Sequence, residues 1–156
     1  MREFKIPGKV QAKQRPRLNL KNGRVYTPQP TINYESYVKW CYSDYAKQKG
    51  WEKPLENAIK AEIEVFMSIP KSDSRKKKEA KLSGKIRPTV KPDADNIAKS
   101  VLDALNELAY GDDKQIVELK VRKCYGVEPY VNVKLMELDG CQDTHYVVEL
   151  KKEGEL

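Results

Sequence analysis

Cysteine and histidine are scarce in this 156-residue chain, which has three Cys (Cys41, Cys124 and Cys141) and one His (His145). An odd, widely spaced cysteine set does not make a disulfide framework. No two cysteines stand at zinc-ligand spacing, and a single histidine leaves a His-based triad with little support. Long apolar runs are also missing. The longest lies near Ile63–Ile69, far short of a membrane span. The opening stretch MREFKIPGKV has no apolar signal region. Internal repeats and low-complexity blocks are absent. These absences lead us to expect a soluble, unexported cytoplasmic protein with no membrane partner. The length fits one domain spanning residues 1–156, with enough chain to bury a core.

Charge is abundant, at 34% of residues, and it is unevenly spread. Residues 1–91 hold 22 Lys/Arg against 9 Asp/Glu, a net of +13. Residues 92–156 hold 8 Lys/Arg against 14 Asp/Glu, a net of −6. A basic half beside an acidic half suggests a polyanion-binding surface next to an acidic site. A merely solubilising surface is the alternative.

Hydrophobic periodicity predicts the elements. Phe4 and Ile6 alternate with polar residues, so a short strand ends near Pro7-Gly8. Leu18-Asn19-Leu20 and Arg24-Val25-Tyr26 flank Lys21-Asn22-Gly23, and both Asn22 and Gly23 tolerate the positive φ of a hairpin turn. Thr31–Lys49 carries Tyr34, Tyr37 or Val38, Cys41 and Tyr45 at helical spacing and stops at Gly50. Its tyrosine face is better read as core than as a stacking platform. Ile59 to Ile69 alternates strictly and ends at Pro70, the clearest strand in the chain. Residues 71–91 form a basic stretch with nine Lys/Arg and two Asp/Glu, within which Ser74–Leu82 could be a short helix. Asn96 to about Asn106 is a second firm helix. Val117, Leu119 and Val121 form a strand, as do Val131, Val133 and Leu135, with Tyr125–Pro129 joining them as an antiparallel hairpin. Tyr146–Leu150 could add a last strand. The expected class is α+β, a mixed sheet with two main helices packed on it.

The chemistry concentrates in Lys91-Pro92-Asp93-Ala94-Asp95-Asn96-Ile97-Ala98-Lys99, followed by Asp103 and Gly111-Asp112-Asp113. In extended chain Asp93 and Asp95 point the same way, and a helix N-terminus follows at once. That combination suits a hard divalent cation and a phosphate. Asp113 can join only if the helix stops near Asn106. The helix is then about 16 Å long, and the seven residues that follow span up to about 23 Å. A left-handed Asn106 would serve as its cap. Each residue also has a structural reading. Asp95 can be an N-cap, Asp112-Asp113 a polar turn, Lys99 a surface partner of Asp103, and Arg75–Lys78 a solvated run. The coincidence of an acidic cluster, a nearby lysine and a separate basic half favours a phosphodiesterase.

The central motif is specific. Lys91-Pro92-Asp93-x-Asp95-Asn96-x-x-Lys99-x-x-Leu102-Asp103-Ala104-Leu105-Asn106, with Asp112-Asp113-x-Gln115-Ile116, resembles the RusA family of Holliday junction resolvases. Ile6-Pro7-Gly8 and Lys13-x-Arg15-Pro16-Arg17 resemble the opening motif of that family, and Lys123 resembles a family lysine. The likeness covers about residues 4–136, leaving 139–156 as an extension. It implies a RusA-like fold, a homodimer, four-way junction DNA as partner and Mg²⁺ as cofactor, with Mn²⁺ as a substitute. It implies Asp93, Asp95 and Asp113 as metal ligands and Lys99 as the essential basic residue, with all four catalytic. Lys13, Arg15, Arg17, Arg75, Lys76, Lys77, Lys78 and Lys123 are the expected DNA contacts. A bacterial or prophage origin accords with that family. Two rivals remain: a metal-dependent nuclease acting on flaps or single strands, and a non-catalytic DNA-binding protein.

Overall fold

The strict alternation of Ala58–Ser68 makes the central strand of the molecule. Ile59, Ala61, Ile63 and Val65 are fully buried, while Lys60, Glu62 and Glu64 line the opposite face. The computed structural model describes residues 1–139. The elements are β1 (Arg2–Pro7), β2 (Arg17–Leu18), β3 (Val25–Tyr26), α1 (Gln29–Lys49), β4 (Ala58–Ser68), α2 (Arg75–Leu82), α3 (Ala94–Leu105), β5 (Ile116–Gly126) and β6 (Tyr130–Leu138). The expected strand at Tyr146–Leu150 and the extension 139–156 lie almost wholly outside the described residues.

Four strands form one mixed sheet in the order β1-β6-β4-β5, and β2-β3 is a separate small ribbon. β4 runs antiparallel to β6 and parallel to β5. This corrects the expected β5–β6 hairpin, because β4 lies between the two strands. Parallel pairing with β4 requires a crossover, and residues 69–115 supply one that contains α2 and α3. The 127–129 turn then steps over the end of β4. Gly126 permits that step: a Cβ there would stand 3.2 Å from the Phe66 Cβ and 3.3 Å from the Glu128 carbonyl oxygen. Phe66 stacks on Tyr130 across the step, with ring centroids 4.4 Å apart.

The helices obey their sequence signals. Pro28 precedes α1 with Pro30 in its first turn, and Gly50 ends it in the left-handed conformation at φ 69°. Tyr34, Val38, Cys41 and Tyr42 face the core, so the tyrosine face is indeed largely packing. Tyr37 is the exception and stacks on exposed Trp40. Ser74 caps α2, accepting a hydrogen bond from the Lys77 amide at 3.4 Å. In the β2–β3 ribbon Gly23 has φ 66°, as expected. Asn22 does not take positive φ; its side chain instead accepts the Arg24 amide at 3.0 Å. α1 packs on α3 and β1, and α3 packs on β5, closing one core over one face of the sheet. No helix among the described residues is long and apolar enough to cross a membrane.

Candidate active site

Asp93 ends an extended segment and stands at the N-cap of α3, with ψ 147°. The helix forms here because Ile97, Val101 and Leu105 recur at helical spacing and are fully buried. Burying that stripe turns Asp95, Lys99 and Asp103 outward. The cap position differs from the expected Asp95. Asp93 holds it without using its side chain, because its backbone carbonyl accepts the Ile97 amide at 3.1 Å and its carboxylate makes no cap bond. Asp95, exposed in the first turn, pairs with Lys99 at 3.6 Å. Lys99 therefore answers to Asp95 and not to Asp103. Both carboxylates keep oxygen lone pairs free toward solvent, the donor chemistry that a hard divalent cation takes.

A segment far away in sequence completes this site. The Lys13 amide donates to the Asn96 carbonyl at 3.3 Å, and the Gln14 amide donates to Thr31 Oγ1 at 3.1 Å. Lys13–Pro16 and the start of α3 thereby enclose a cleft of about 420 Å³ lined by Lys13, Gln14, Arg15, Pro16, Asp93, Asp95, Asn96 and Lys99. Lys13 is held there by two acids. Its ammonium bonds Asp103 and lies 3.5 Å from Glu35. The Asp103 hydrogen bond, chiefly, pushes the Lys13 pKa up. Glu35 and Asp103 were not anticipated as its partners, because no local pattern links α1, α3 and residue 13. A larger cavity of about 600 Å³ adjoins the approach to Asp93, lined in part by Lys9, Phe66, Met67, Lys91 and Pro92. The Lys91–Pro92 peptide is cis.

The helix stops at Leu105, which meets the condition the length estimate set for a return of the chain. The left-handed residue is Glu107, at φ 61°, while Asn106 is extended with ψ 139°. The expected Asn106 cap is thus shifted by one residue. Ala109 N–H bonds the Leu105 carbonyl at 2.9 Å, and the buried Tyr110 hydroxyl donates to the Leu102 carbonyl at 2.7 Å. Asp112 then opens a short 3₁₀ turn over Asp113–Gln115 with a reciprocal cap. Its carboxylate accepts the Lys114 amide at 3.0 Å, and Gln115 Oε1 accepts the Gly111 and Asp112 amides, each at 2.9 Å. The Gln115 Nε2 donates to the Leu55 and Asn57 carbonyls at 3.0 and 3.1 Å. Gln115 so ties the acidic turn to the start of β4. The Asp-x-x-Gln spacing was the available signal for it.

That turn separates two neighbouring acids. Asp112 has a structural use, and Lys114 lies 3.2 Å from it, leaving Asp113 exposed. Asp113 and Asp103 both bear on Tyr110. With burial as the main cause, they hold its hydroxyl well above the ordinary tyrosine range. Among the described residues, no three Asp, Glu, His or Cys side chains converge on one point as a metal cage. The structure joins Asp93, Asp95 and Lys99 with Lys13 and Arg15. It holds Asp113 beside Tyr110, outside the lining of the cleft.

The remaining basic candidates fall into unlike settings. Arg17 is exposed on β2. On α2, Arg75 bonds Glu79 at 2.9 Å, Lys77 lies 3.2 Å from Asp73, Lys78 donates to the Lys71 carbonyl at 3.0 Å, and Lys76 faces solvent. Lys123 donates to the Val90 carbonyl at 2.5 Å and so anchors the segment leading to Asp93.

Two comparisons bear on this geometry. A family model described as endodeoxyribonuclease RusA matches residues 7–136. A Bacillus subtilis (strain 168) protein whose name is "Uncharacterized protein YqaN" is 40% identical over 138 residues, covering 87% of this chain and 96% of that protein.

Proposed function

Because the chain belongs to the RusA endodeoxyribonuclease family, we propose that it is a Mg²⁺-dependent, structure-selective endodeoxyribonuclease that resolves four-way DNA junctions by paired symmetric nicks. The family indicates endonuclease activity on Holliday junctions, and its nucleases are generally divalent-metal dependent. The observation that carries the reading to these residues is the shared cleft of Lys13, Arg15, Asp93, Asp95 and Lys99. The opening and central motifs are some eighty positions apart in sequence, yet they face one another in space.

Asp93 and Asp95 of the cleft would hold the metal, and Asp113, which lies outside the cleft lining, would have to move toward them to complete the set. A bound Mg²⁺ (or Mn²⁺ as a substitute) would supply shielding of the phosphoryl oxygens and a more acidic water as the nucleophile. Lys99 keeps an ammonium one turn inside α3, where it would meet the developing phosphate charge. The α3 N-terminus adds a positive partial charge to the same place. Arg15 presents a forked donor to the backbone at the cleft mouth. Arg17 and the α2 cations Arg75, Lys76, Lys77 and Lys78 extend that basic surface. We assign the protein as a cytoplasmic homodimer acting in DNA recombination and repair, its single endonuclease domain running through residues 1–156.

The test is cleavage of an end-labelled four-way junction beside a linear duplex of the same sequence, with and without Mg²⁺. Paired nicks on the junction alone, dependent on Mg²⁺, are expected. Asp93→Asn should abolish them while leaving junction binding intact, because the basic surface is unchanged. Cleavage retained in that variant would remove Asp93 from the site. Tight binding with no product, in Mg²⁺ or Mn²⁺, would overturn the nuclease reading.

A further inference from the structure

The β2–β3 ribbon holds apolar side chains out in water. Leu18 and Val25 stand opposite one another in register and are 57% and 68% exposed, and Leu20 beside the turn is 90% exposed. Arg17 and Tyr26 make the other registered pair and are exposed as well. The ribbon pairs with no strand of the main sheet, and none of residues 15–26 is buried. These side chains therefore add little to the core. The tip is nonetheless built to keep its shape. The Asn19 amide donates to the Arg24 carbonyl and the Gly23 amide to the Asn19 carbonyl, each at 2.8 Å. Asn19 Oδ1 accepts the Lys21 amide at 2.9 Å, and Asn22 Oδ1 accepts the Arg24 amide at 3.0 Å.

The charge around that tip is of one sign. Residues 4–34 hold seven Lys/Arg and no Asp/Glu, and Arg17, Lys21 and Arg24 fall on the ribbon itself. An apolar tip in a frame of cations is complementary to a polyanion with apolar faces inside it. Nucleic acid has that form, with phosphates outside and stacked bases within. We propose that the ribbon is a wedge. Leu18, Leu20 and Val25 enter the base stack at the crossover of a four-way junction, while Arg17, Lys21 and Arg24 hold the flanking phosphates. The inference rests on the junction substrate of the proposed function and specifies which part of the chain opens that junction.

The position of the ribbon supports this use. It leaves the cleft at Pro16, one of the cleft-lining residues. Its near leg is tied down just before, by the Lys13 amide on the Asn96 carbonyl and the Gln14 amide on Thr31 Oγ1. From Pro16, extended chain reaches Leu18 within about 7 Å and Leu20 within about 14 Å. One strand of DNA advances about 3.4 Å per nucleotide. The wedge therefore acts within about two to four nucleotides of a phosphate held in the cleft. Apolar side chains inserted between base steps partly unstack them. A continuous duplex resists that insertion at every step, whereas a branch point already interrupts the stack. The ribbon thus favours a junction over linear DNA without reading any base edge.

The decisive experiment uses the full chain without metal, so that the junction stays whole, and four-way junctions carrying 2-aminopurine either at a crossover position or in the middle of an arm. The fluorescence of that base rises when it loses its stacked neighbours. At saturating protein a several-fold rise is expected at the crossover and none in the arm. Leu18→Ser combined with Val25→Ser should lose the rise at saturation; both side chains are exposed, so the melting temperature should match wild type. Lys21→Gln combined with Arg24→Gln should keep the rise at saturation and flatten the slope of log affinity against log salt by about 1.8. No rise with wild type at any crossover position, or a rise undiminished in the double serine variant, would overturn the wedge. So would a double serine variant whose mass by light scattering falls without DNA while the rise persists, because the ribbon would then cover a second copy. Unstacking without cleavage in Mg²⁺ or Mn²⁺ would defeat the nuclease reading and leave the wedge standing; cleavage without unstacking would do the reverse.

Discussion

Asp112 and Asp113 are chemically identical neighbours with separable roles, and the difference lies in what each carboxylate touches. Asp112 accepts the Lys114 amide and completes a reciprocal cap with Gln115. The Lys114 backbone bond, foremost, holds its carboxyl below the usual carboxylate range. Asp113 is exposed beside that cap. Asp112→Ala should therefore lower the melting temperature and impair cleavage only through looser positioning. Asp113→Asn should leave melting unchanged and cut junction cleavage by more than the roughly 100-fold typical of losing a supporting partner. Thermal melting and single-turnover cleavage of the two variants, measured side by side, test the division. Equal cleavage by wild type and Asp113→Asn would exclude that residue. The motif identified the pair, and the Asp112-x-x-Gln115 spacing points to Asp112 as the cap. The Gln115 contacts to the Leu55 and Asn57 carbonyls, which tie that cap to the start of β4, have no trace in local spacing.

At the scale of elements, periodicity was legible and pairing was not. The bounds of α1, β4 and α2 fell within two residues of expectation, because burial on one face writes a period into the sequence. The β5–β6 pairing was misread because a short connection between two strands ordinarily means a hairpin. Nothing local announces that β4 has already taken the place between them. β4 is accordingly the most sensitive element. Ile63 is fully buried at its centre, and Ile63→Ala should cost about 2–5 kcal/mol in urea unfolding; a loss under about 1 kcal/mol would mean the site collapses freely. On α2 the stability question is one of pH. Lys81 lies against Asp73, with its ammonium 4.3 Å from the Tyr125 ring centre. The Lys81 hydrogen bond, chiefly, depresses the Asp73 pKa below 3.8. The bond to Asp73 likewise raises Lys81 above 10.5. A depressed carboxylate contributes stability above its unfolded value and loses it as pH falls through the folded one. The melting-temperature gap between wild type and Asp73→Asn should stay level between about pH 5 and 9, then close below pH 3.8. A gap unchanged at pH 3 would show that the pair adds nothing.

For the whole molecule, the basic half reported by the charge count is smaller in effect than in number. Lys13 faces Asp103 and Glu35, Lys77 faces Asp73, and Lys81 is buried against the same acid. Lys123 donates to the Val90 carbonyl. Counting residues could not reveal this, because a count does not show that Asp73, just ahead of α2, pairs with both Lys77 and Lys81, or that Lys13 and Lys123 reach partners elsewhere in the chain. Cations free to replace counterions on DNA are the ones that set the salt dependence of binding. Among the described residues no acid is paired with Lys76, whereas Lys77 lies 3.2 Å from Asp73. Lys76→Gln should therefore weaken junction binding and flatten the slope of log affinity against log salt by roughly 0.9. Lys77→Gln should change that slope by much less, since part of its charge is already balanced. Binding titrations of catalytically silent Asp93→Asn protein between about 50 and 200 mM salt separate the two. Slopes for both variants equal to that of the parent Asp93→Asn protein would mean that α2 stands off the DNA, and that Arg15 of the cleft and exposed Arg17 on β2 carry the backbone contacts.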